Sequence, residues 1–250
     1  MNIMKTSSYF VNIVEKSDIK YIKRRIRRGK KPYARTLSFR KIKKILSNSD
    51  ILYPKFLKIH FNYVYEEYIN STNDVENISK GEINKYFLNT IYKLNKLDVS
   101  KYKRYVSWNN NTEFLKFQID NFNNALKKRK EYEKLDDAKN RLKTINLNID
   151  NNRKLTFIHG DLHLNNLIVN NDNIYLIDWE MATIGDLAYE LAIHFLLMNY
   201  SKQDELEFIN KLLLKIKCDK YKLINDIEEY KKFELIRRNI LHNDVKNHYH

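Results

Sequence analysis

The chain of 250 residues has one cysteine, Cys218, so it can form no internal disulfide and assemble no thiolate-based zinc cluster. Four glycines and two prolines leave few positions where a turn is forced by backbone chemistry. No stretch approaches the ~20 apolar residues that span a bilayer, and the N-terminus MNIMKTSSYFVNIVEKSD lacks an apolar core followed by a small-residue cleavage site. Together these absences point to a reducing compartment and an expected cytoplasmic location. Acid is missing over a long span as well: residues 19 to 49 contain no Asp or Glu.

What is present is enough for a core. With 43% hydrophobic and 31% charged residues the chain falls in the globular class, as one large domain or two modest ones. The formal charge of +15 is concentrated at one end: residues 1 to 60 hold 17 Lys and Arg against three acids, and the other 190 residues are near neutral. A segment this basic, KRRIRRGKK at 23 to 31 included, attracts polyanions. We expect an anionic-surface contact through residues 20 to 44 and no stable nucleic-acid partner.

The apolar spacing divides the chain into elements. YFVNIVEKSDIKYIKRRI, 9 to 26, reads as an antiparallel hairpin broken at Lys16, Ser17 and Asp18, and the period over Ala34 to Ser47 predicts an amphipathic helix. FLKIHFNYVYEEYI, 56 to 69, is aromatic and β-branched and reads as a second hairpin. The polar run NSTNDVENISKGE, 70 to 82, is the best linker and sets a boundary near residue 70. Residues 83 to 145 are helical in character. From 155 the period shortens to three brief strands, KLTFI, NLIV and IYLI, after which GDLAYELAIHFLLMNY returns to helix with Asp186 at the N-cap. Two or three amphipathic helices fill 202 to 247.

The short strands carry the chemistry. If the turn at Asn171–Asn173 is centred on Asp172, Asn166 and Asp178 stand six residues to either side and meet at the open end of the hairpin. Asp161, five residues before Asn166, enters by the same loop. Two carboxylates and an amide oxygen, with no thiol, suit a hard cation such as Mg²⁺, which keeps few protein ligands and binds substrate phosphates. In phosphoryl transfer one carboxylate accepts the proton of the attacking hydroxyl while metal neutralises the phosphates. Asp161 is placed for the base, Asn166 and Asp178 for the metal. Loop capping by the same residues is the plain alternative, and zinc binding by His159 and His163 lacks the remaining ligands.

HGDLHLNN (159–166), LIDWE (176–180) and GDLAYELA (185–192), in this order and spacing, resemble the aminoglycoside phosphotransferase and choline kinase superfamily. The match to H-G-D-x-x-x-x-N is His159, Gly160, Asp161 and Asn166. The resemblance implies an α+β, two-lobed protein-kinase-like fold: a small β-rich nucleotide-binding lobe over 1–70 and a larger, mainly helical lobe over 71–250. It implies Asp161 as catalytic base, Asn166 and Asp178 as magnesium ligands, and His159 as a brace of the loop. It also implies a strand lysine for the nucleotide phosphates, at Lys23 in YIK, with Arg24 and Arg25 leaving the register open by one or two residues. The hinge falls at Glu66–Ile69, where Glu67 and Ile69 would meet the nucleotide base. Two of the family's parts are not visible: a Gly-rich phosphate loop, since the first glycine is Gly29, and a helix glutamate to pair with the lysine.

The function expected is therefore transfer of the γ-phosphate of ATP, with GTP left open, to a hydroxyl of a small molecule. Only seven residues separate Asp178 from Asp186, too few for the activation segment of a protein kinase. Cationic acceptors would want acids, and the C-terminal part offers Glu190, Asp204, Glu205, Glu207, Glu228, Glu229 and Glu234. A sugar or lipid-linked sugar is the rival acceptor. A catalytically weak kinase-like protein binding a polyanion through its basic lobe is the rival function.

Overall fold

A computed structural model describes residues 3–5, 9–16, 19–26, 37–60 and 63–242. The N-terminal part is a five-stranded antiparallel sheet of order β1-β2-β3-β5-β4, formed by β1 (Ile3–Lys5), β2 (Tyr9–Lys16), β3 (Ile19–Ile26), β4 (Phe56–Ile59) and β5 (Tyr63–Glu67). Both expected hairpins are present. The first closes on the Lys16–Ile19 pair, so its strands run closer to the turn than the polar break suggested. Strand β1 was not announced by any alternation. Helix α1 (Phe39–Leu46) is shorter than the expected helix, and residues 34 to 36 of that expectation lie outside the described residues. It buries Phe39, Ile42, Ile45 and Leu46, with the Phe39 ring 5.5 Å from that of Phe56 on β4. At about 1.5–3 kcal/mol per fully buried large apolar side chain, these four contacts fix the helix to the sheet.

The polar run 70–82 is not a free linker. Thr72 N donates to Val169 O at 2.9 Å, Asn170 Nδ2 donates to Asn70 O at 2.9 Å, and α2 (Lys80–Lys96) begins inside the run behind a Ser79–Glu82 capping box. Polar side chains that looked like linker are there as caps and backbone clips. The long charged stretch that follows is a pair of helices, α3 (Asn111–Lys128) and α4 (Tyr132–Leu142), separated at Lys130, whose φ is +60°.

Two small sheets hold the motif region. Strand β6 (Thr156–Ile158) pairs with β9 (Thr183–Gly185), and β7 (Leu167–Asn170) pairs with β8 (Asn173–Leu176). Helices α5 (Leu187–Leu197), α6 (Lys202–Leu213) and α7 (Lys220–His242) complete the fold. Residues 187 to 195 of α5 are all buried, so this helix is enclosed on every side rather than presenting one face. The α+β, two-lobed architecture expected from the motifs is the one observed: an antiparallel sheet with one helix, and a helical part built around the β6–β9 strands.

Candidate active site

Strand β6 delivers the chain to His159, Gly160 and Asp161. Gly160 has φ +79°, and a Cβ there would sit 2.9 Å from Met181 O, so both backbone sign and space call for glycine. Its amide donates to Glu190 Oε2 of α5 at 2.8 Å. Burial pushes the Glu190 carboxyl up to about 8, against the pull of the backbone amides it faces. His159 is fully buried, its Nε2 2.9 Å from Ile177 O and its ring 4.7 Å from that of Trp179. Burial lowers its pKa, so the ring is neutral and Nε2–H is the donor. The loop is thereby tied to the last residue before Asp178, which matches the bracing part implied for His159.

Asp161 lies at the partly open end of this loop. Asn166 Nδ2 donates to Asp161 Oδ2 at 2.9 Å and to its main-chain oxygen at 2.8 Å, and His163 Nε2 is 3.4 Å from Oδ2. Burial pushes the Asp161 carboxyl up, but His163, His159 and the Asn166 hydrogen bond outweigh it and hold the group below the ordinary range. It is a carboxylate at neutral pH. With its nitrogen committed to Asp161, Asn166 has its oxygen Oδ1 to offer a cation.

The hairpin is one residue out of the expected register. Its turn is the pair Asn171–Asp172, with Asn171 at φ +52°, so Asn166 stands opposite Ile177 rather than Asp178, and Ile177 N donates to Asn166 O at 2.9 Å. Regular alternation would then turn Asp178 to the other face. The alternation ends there, because Asp178 adopts φ +61°, ψ +57° and breaks the strand, and its Oδ1 lies 3.3 Å from Arg24 NH1.

The cation that reaches Asp178 is Arg24. Lys23 lies on the opposite face of β3, with Nζ 5.1 Å and 5.5 Å from the ring centres of Tyr63 and Tyr65. Arg24 faces inward and is buried. Its Nε is 3.0 Å from Glu66 Oε1, and NH1 is 3.3 Å from Asp178 Oδ1. Glu66 and Asp178 outweigh burial and raise the Arg24 pKa, so it stays charged, while burial raises that of Glu66 against the pull of Arg24. Of the two neighbouring cations, it is Arg24 and not the expected Lys23 whose side chain reaches Asp178. The partner carboxylate comes from strand β5 rather than from a helix, which is why an acid-free span from 19 to 49 concealed it. A signal was available: Ile22 and Arg24 share one parity of β3, Val64 and Glu66 one parity of β5, and a charge among apolar inward positions needs a partner.

The remaining residues divide into structural and open ones. Glu67 ends β5 with its amide donating to Lys55 O at 2.9 Å and its carboxylate accepting from Lys55 N at 3.2 Å, so both are committed to the residue that leads into β4. Ile69, just beyond, is buried. Asp186 caps α5 through Ala188 N and also receives a bidentate contact from Arg153 at 2.7 and 2.8 Å and the Tyr230 hydroxyl at 3.0 Å. It is a fully buried structural anchor. Among the described residues no three His, Cys, Asp or Glu side chains gather as a metal site. The Asp178 carboxylate and the Asn166 amide oxygen are hard donors that suit Mg²⁺ sharing its shell with phosphate oxygens.

Residues 98–213, which contain Asp161, Asn166, Asp178 and Asp186, match the family described as the phosphotransferase enzyme family. The matched segment is just under half of the chain. A "Protein LicA homolog" of Metamycoplasma hominis is 42% identical over 71 residues, and one of Mycoplasma capricolum is 38% identical over 69 residues. The first match spans 27% of this chain and 27% of the relative, so about a quarter of the length of these relatives is matched. Among solved structures, the Plasmodium vivax ethanolamine kinase Pv091845 superposes with a TM-score of 0.64 at 18% identity, over 100% of this chain and 77% of that one. The choline kinase LicA from Streptococcus pneumoniae gives 0.59 at 19% identity, over 98% and 84%. A macrolide 2'-phosphotransferase type I gives 0.63 at 15% identity, over 99% and 86%. The matched segment thus sits in a chain that shares the fold of these solved structures.

Proposed function

We propose that the protein is a small-molecule kinase that transfers the γ-phosphate of a nucleoside triphosphate, ATP in the first instance, to a hydroxyl of an amino-alcohol acceptor of the choline or ethanolamine type. The observation that carries this reading is the hydrogen-bonded Asp161–Asn166 pair in the motif loop, with the Asp178 carboxylate of the next motif reached by one buried arginine. The similarity to LicA homologs supports the acceptor class.

In this reading the Asp161 carboxylate accepts the proton of the acceptor hydroxyl as that oxygen attacks the γ-phosphorus. The bond from phosphorus to the bridging oxygen breaks, and the nucleoside diphosphate carries away its electron pair. Asn166 holds Asp161 in place by two hydrogen bonds and offers Oδ1 to magnesium together with Asp178. Bound magnesium supplies charge neutralisation of the phosphate oxygens. Arg24, held by Glu66, faces the same phosphates, taking the part first assigned to Lys23. Of the two hinge positions, Ile69 stays as the candidate for nucleotide-base contact, because the Glu67 amide is already used by Lys55.

Nucleotide consumption with magnesium, measured across choline, ethanolamine, aminoglycosides and sugars, tests the reading. Turnover is expected with an amino alcohol, and Asp161→Asn should lower it about 10²- to 10⁴-fold while nucleotide affinity is kept. Asp178→Ala should lose magnesium-dependent nucleotide binding itself. Undiminished turnover in Asp161→Asn, or consumption with none of the acceptors, would overturn it.

A further inference from the structure

The outer face of the N-terminal sheet takes no part in the proposed chemistry and has a composition of its own. Residues directly opposite in an antiparallel pair point to the same side. The register pairs Lys23 with Asn12 and Tyr65, Tyr21 with Val14, and Lys58 with Tyr65, while Arg24, Val64 and Glu66 are buried on the inner side. The outer side therefore shows Tyr21, Lys23, Lys58, Tyr63 and Tyr65, together with one acid, Glu67, opposite Tyr21 and bonded to Lys55 N, and Ile19, 65% exposed, lies at the hairpin tip on the same parity. Ile19 gives one end of this face of three tyrosines and two lysines an apolar tip.

The rings are arranged in a way that selects the partner. Tyr65 packs against Tyr21 at 5.5 Å and 53°, and against Tyr63 at 5.8 Å and 87°, while Lys23 covers the faces of Tyr63 and Tyr65. Stacking of nucleic-acid bases requires free ring faces, and here Lys23 and the neighbouring rings already take them. Ammonium groups, phenolic rings and an apolar tip are instead the side chains that settle at the headgroup level of a bilayer. The charge of the first 60 residues, 17 Lys and Arg against three acids, is complementary to an anionic leaflet.

We infer that the outer face of the β2–β3–β5–β4 sheet docks the protein on an anionic lipid surface, with Ile19 entering the interfacial region and Lys23 and Lys58 meeting lipid phosphates. This docking is separate from the phosphotransferase reading and uses the side of the sheet turned away from Arg24.

The test is co-sedimentation of the full chain with vesicles of phosphatidylcholine alone and of phosphatidylcholine mixed with phosphatidylglycerol. Binding is expected only to the mixed vesicles and should weaken with salt. The double variant Lys23→Ala/Lys58→Ala should bind them about 25-fold more weakly, near fivefold for each lysine, and Ile19→Asp should weaken binding further, with circular dichroism showing each variant folded. Equal binding to both vesicle types, or wild-type binding by the lysine double variant, overturns the inference. Stronger binding of a single-stranded oligonucleotide through the same residues would overturn it in favour of nucleic acid.

Discussion

The Arg24–Glu66 pair offers the sharpest separation of stability from function. Their side chains are 9% and 8% exposed, so the pair is in the buried regime, where removing one partner leaves an uncompensated charge. Arg24→Met keeps the length of the side chain and strands Glu66. A loss of about 3–5 kcal/mol is expected, which lowers the melting temperature of a chain this size by about 6–20 °C. The loss should shrink as pH falls. A stranded, buried Glu66 has a folded pKa further above its unfolded one, so the native state binds more protons than the unfolded state between the two values and stability falls as pH rises through that window. The double variant Arg24→Met/Glu66→Met should recover most of the stability, because an apolar pair of similar volume replaces both charges. It should not recover nucleotide affinity. A charge-assisted hydrogen bond contributes about 1.5–3 kcal/mol, so binding measured by calorimetry with ATP and magnesium should stay about ten- to a hundredfold weaker in both variants. Wild-type nucleotide affinity in the double variant would refute a phosphate-binding part for Arg24. An unchanged melting temperature in the single variant would refute the buried pair.

Gly160→Ala places a non-glycine residue at φ +79° and a methyl group against Met181 O, so thermal melts should show a loss of about 1–3 kcal/mol, with turnover falling more than nucleotide affinity because the strain lies next to Asp161. Glu190, with its carboxyl pushed by burial to about 8, binds a proton in the native state that the unfolded chain releases near its ordinary value. Wild-type stability should therefore fall as pH rises from about 5 to 8, and Glu190→Gln, which keeps an oxygen for Gly160 N, should flatten that part of the curve in denaturant titrations. A Gln variant with the wild-type slope would place the titrating group elsewhere.

The fold was legible where a period was strong. The β2–β3 and β4–β5 hairpins and helix α5 with its Asp186 cap follow from alternation and capping chemistry that need no distant contact. The failures have a common physical source, the parity of a strand. A sequence gives the alternation of β3 but not which parity faces inward, and the neighbouring cations of YIKRR make Lys23 and Arg24 equivalent until β5 supplies Glu66. Likewise the hairpin tip allows a two-residue or three-residue turn, and only the former is built. The meeting of Asp161 with Asn166 needed nothing beyond a short loop and was readable. Glu190 counts among the seven acids on offer to a cationic acceptor, although its place in a helix apolar on all sides, four residues before His194, signals burial.

Those seven acids bear on the acceptor. Glu190 is under the loop, Glu205 and Glu228 are paired with Lys231 and Lys202, and Glu234 receives Arg237 and the Tyr189 hydroxyl. Asp204 binds Lys80 and caps α6, Glu207 pairs with Lys211, and Glu229 with Lys232 and Asn146 N. A carboxylate already matched by a cation projects little field, so a cationic acceptor gains almost no long-range attraction from this side of the molecule. The nucleotide is in the opposite position, approaching a part of the chain whose cations outnumber its acids several-fold. Raising salt from 0.1 M to 1 M shortens the screening length from about 10 Å to about 3 Å, which removes the second attraction and has little of the first to remove. The KM for nucleotide should therefore rise with salt while that for an amino-alcohol acceptor stays nearly constant. Parallel increases in both would mean that an unpaired acid does face the acceptor, and that cation selection rests on charge rather than on contact within the site.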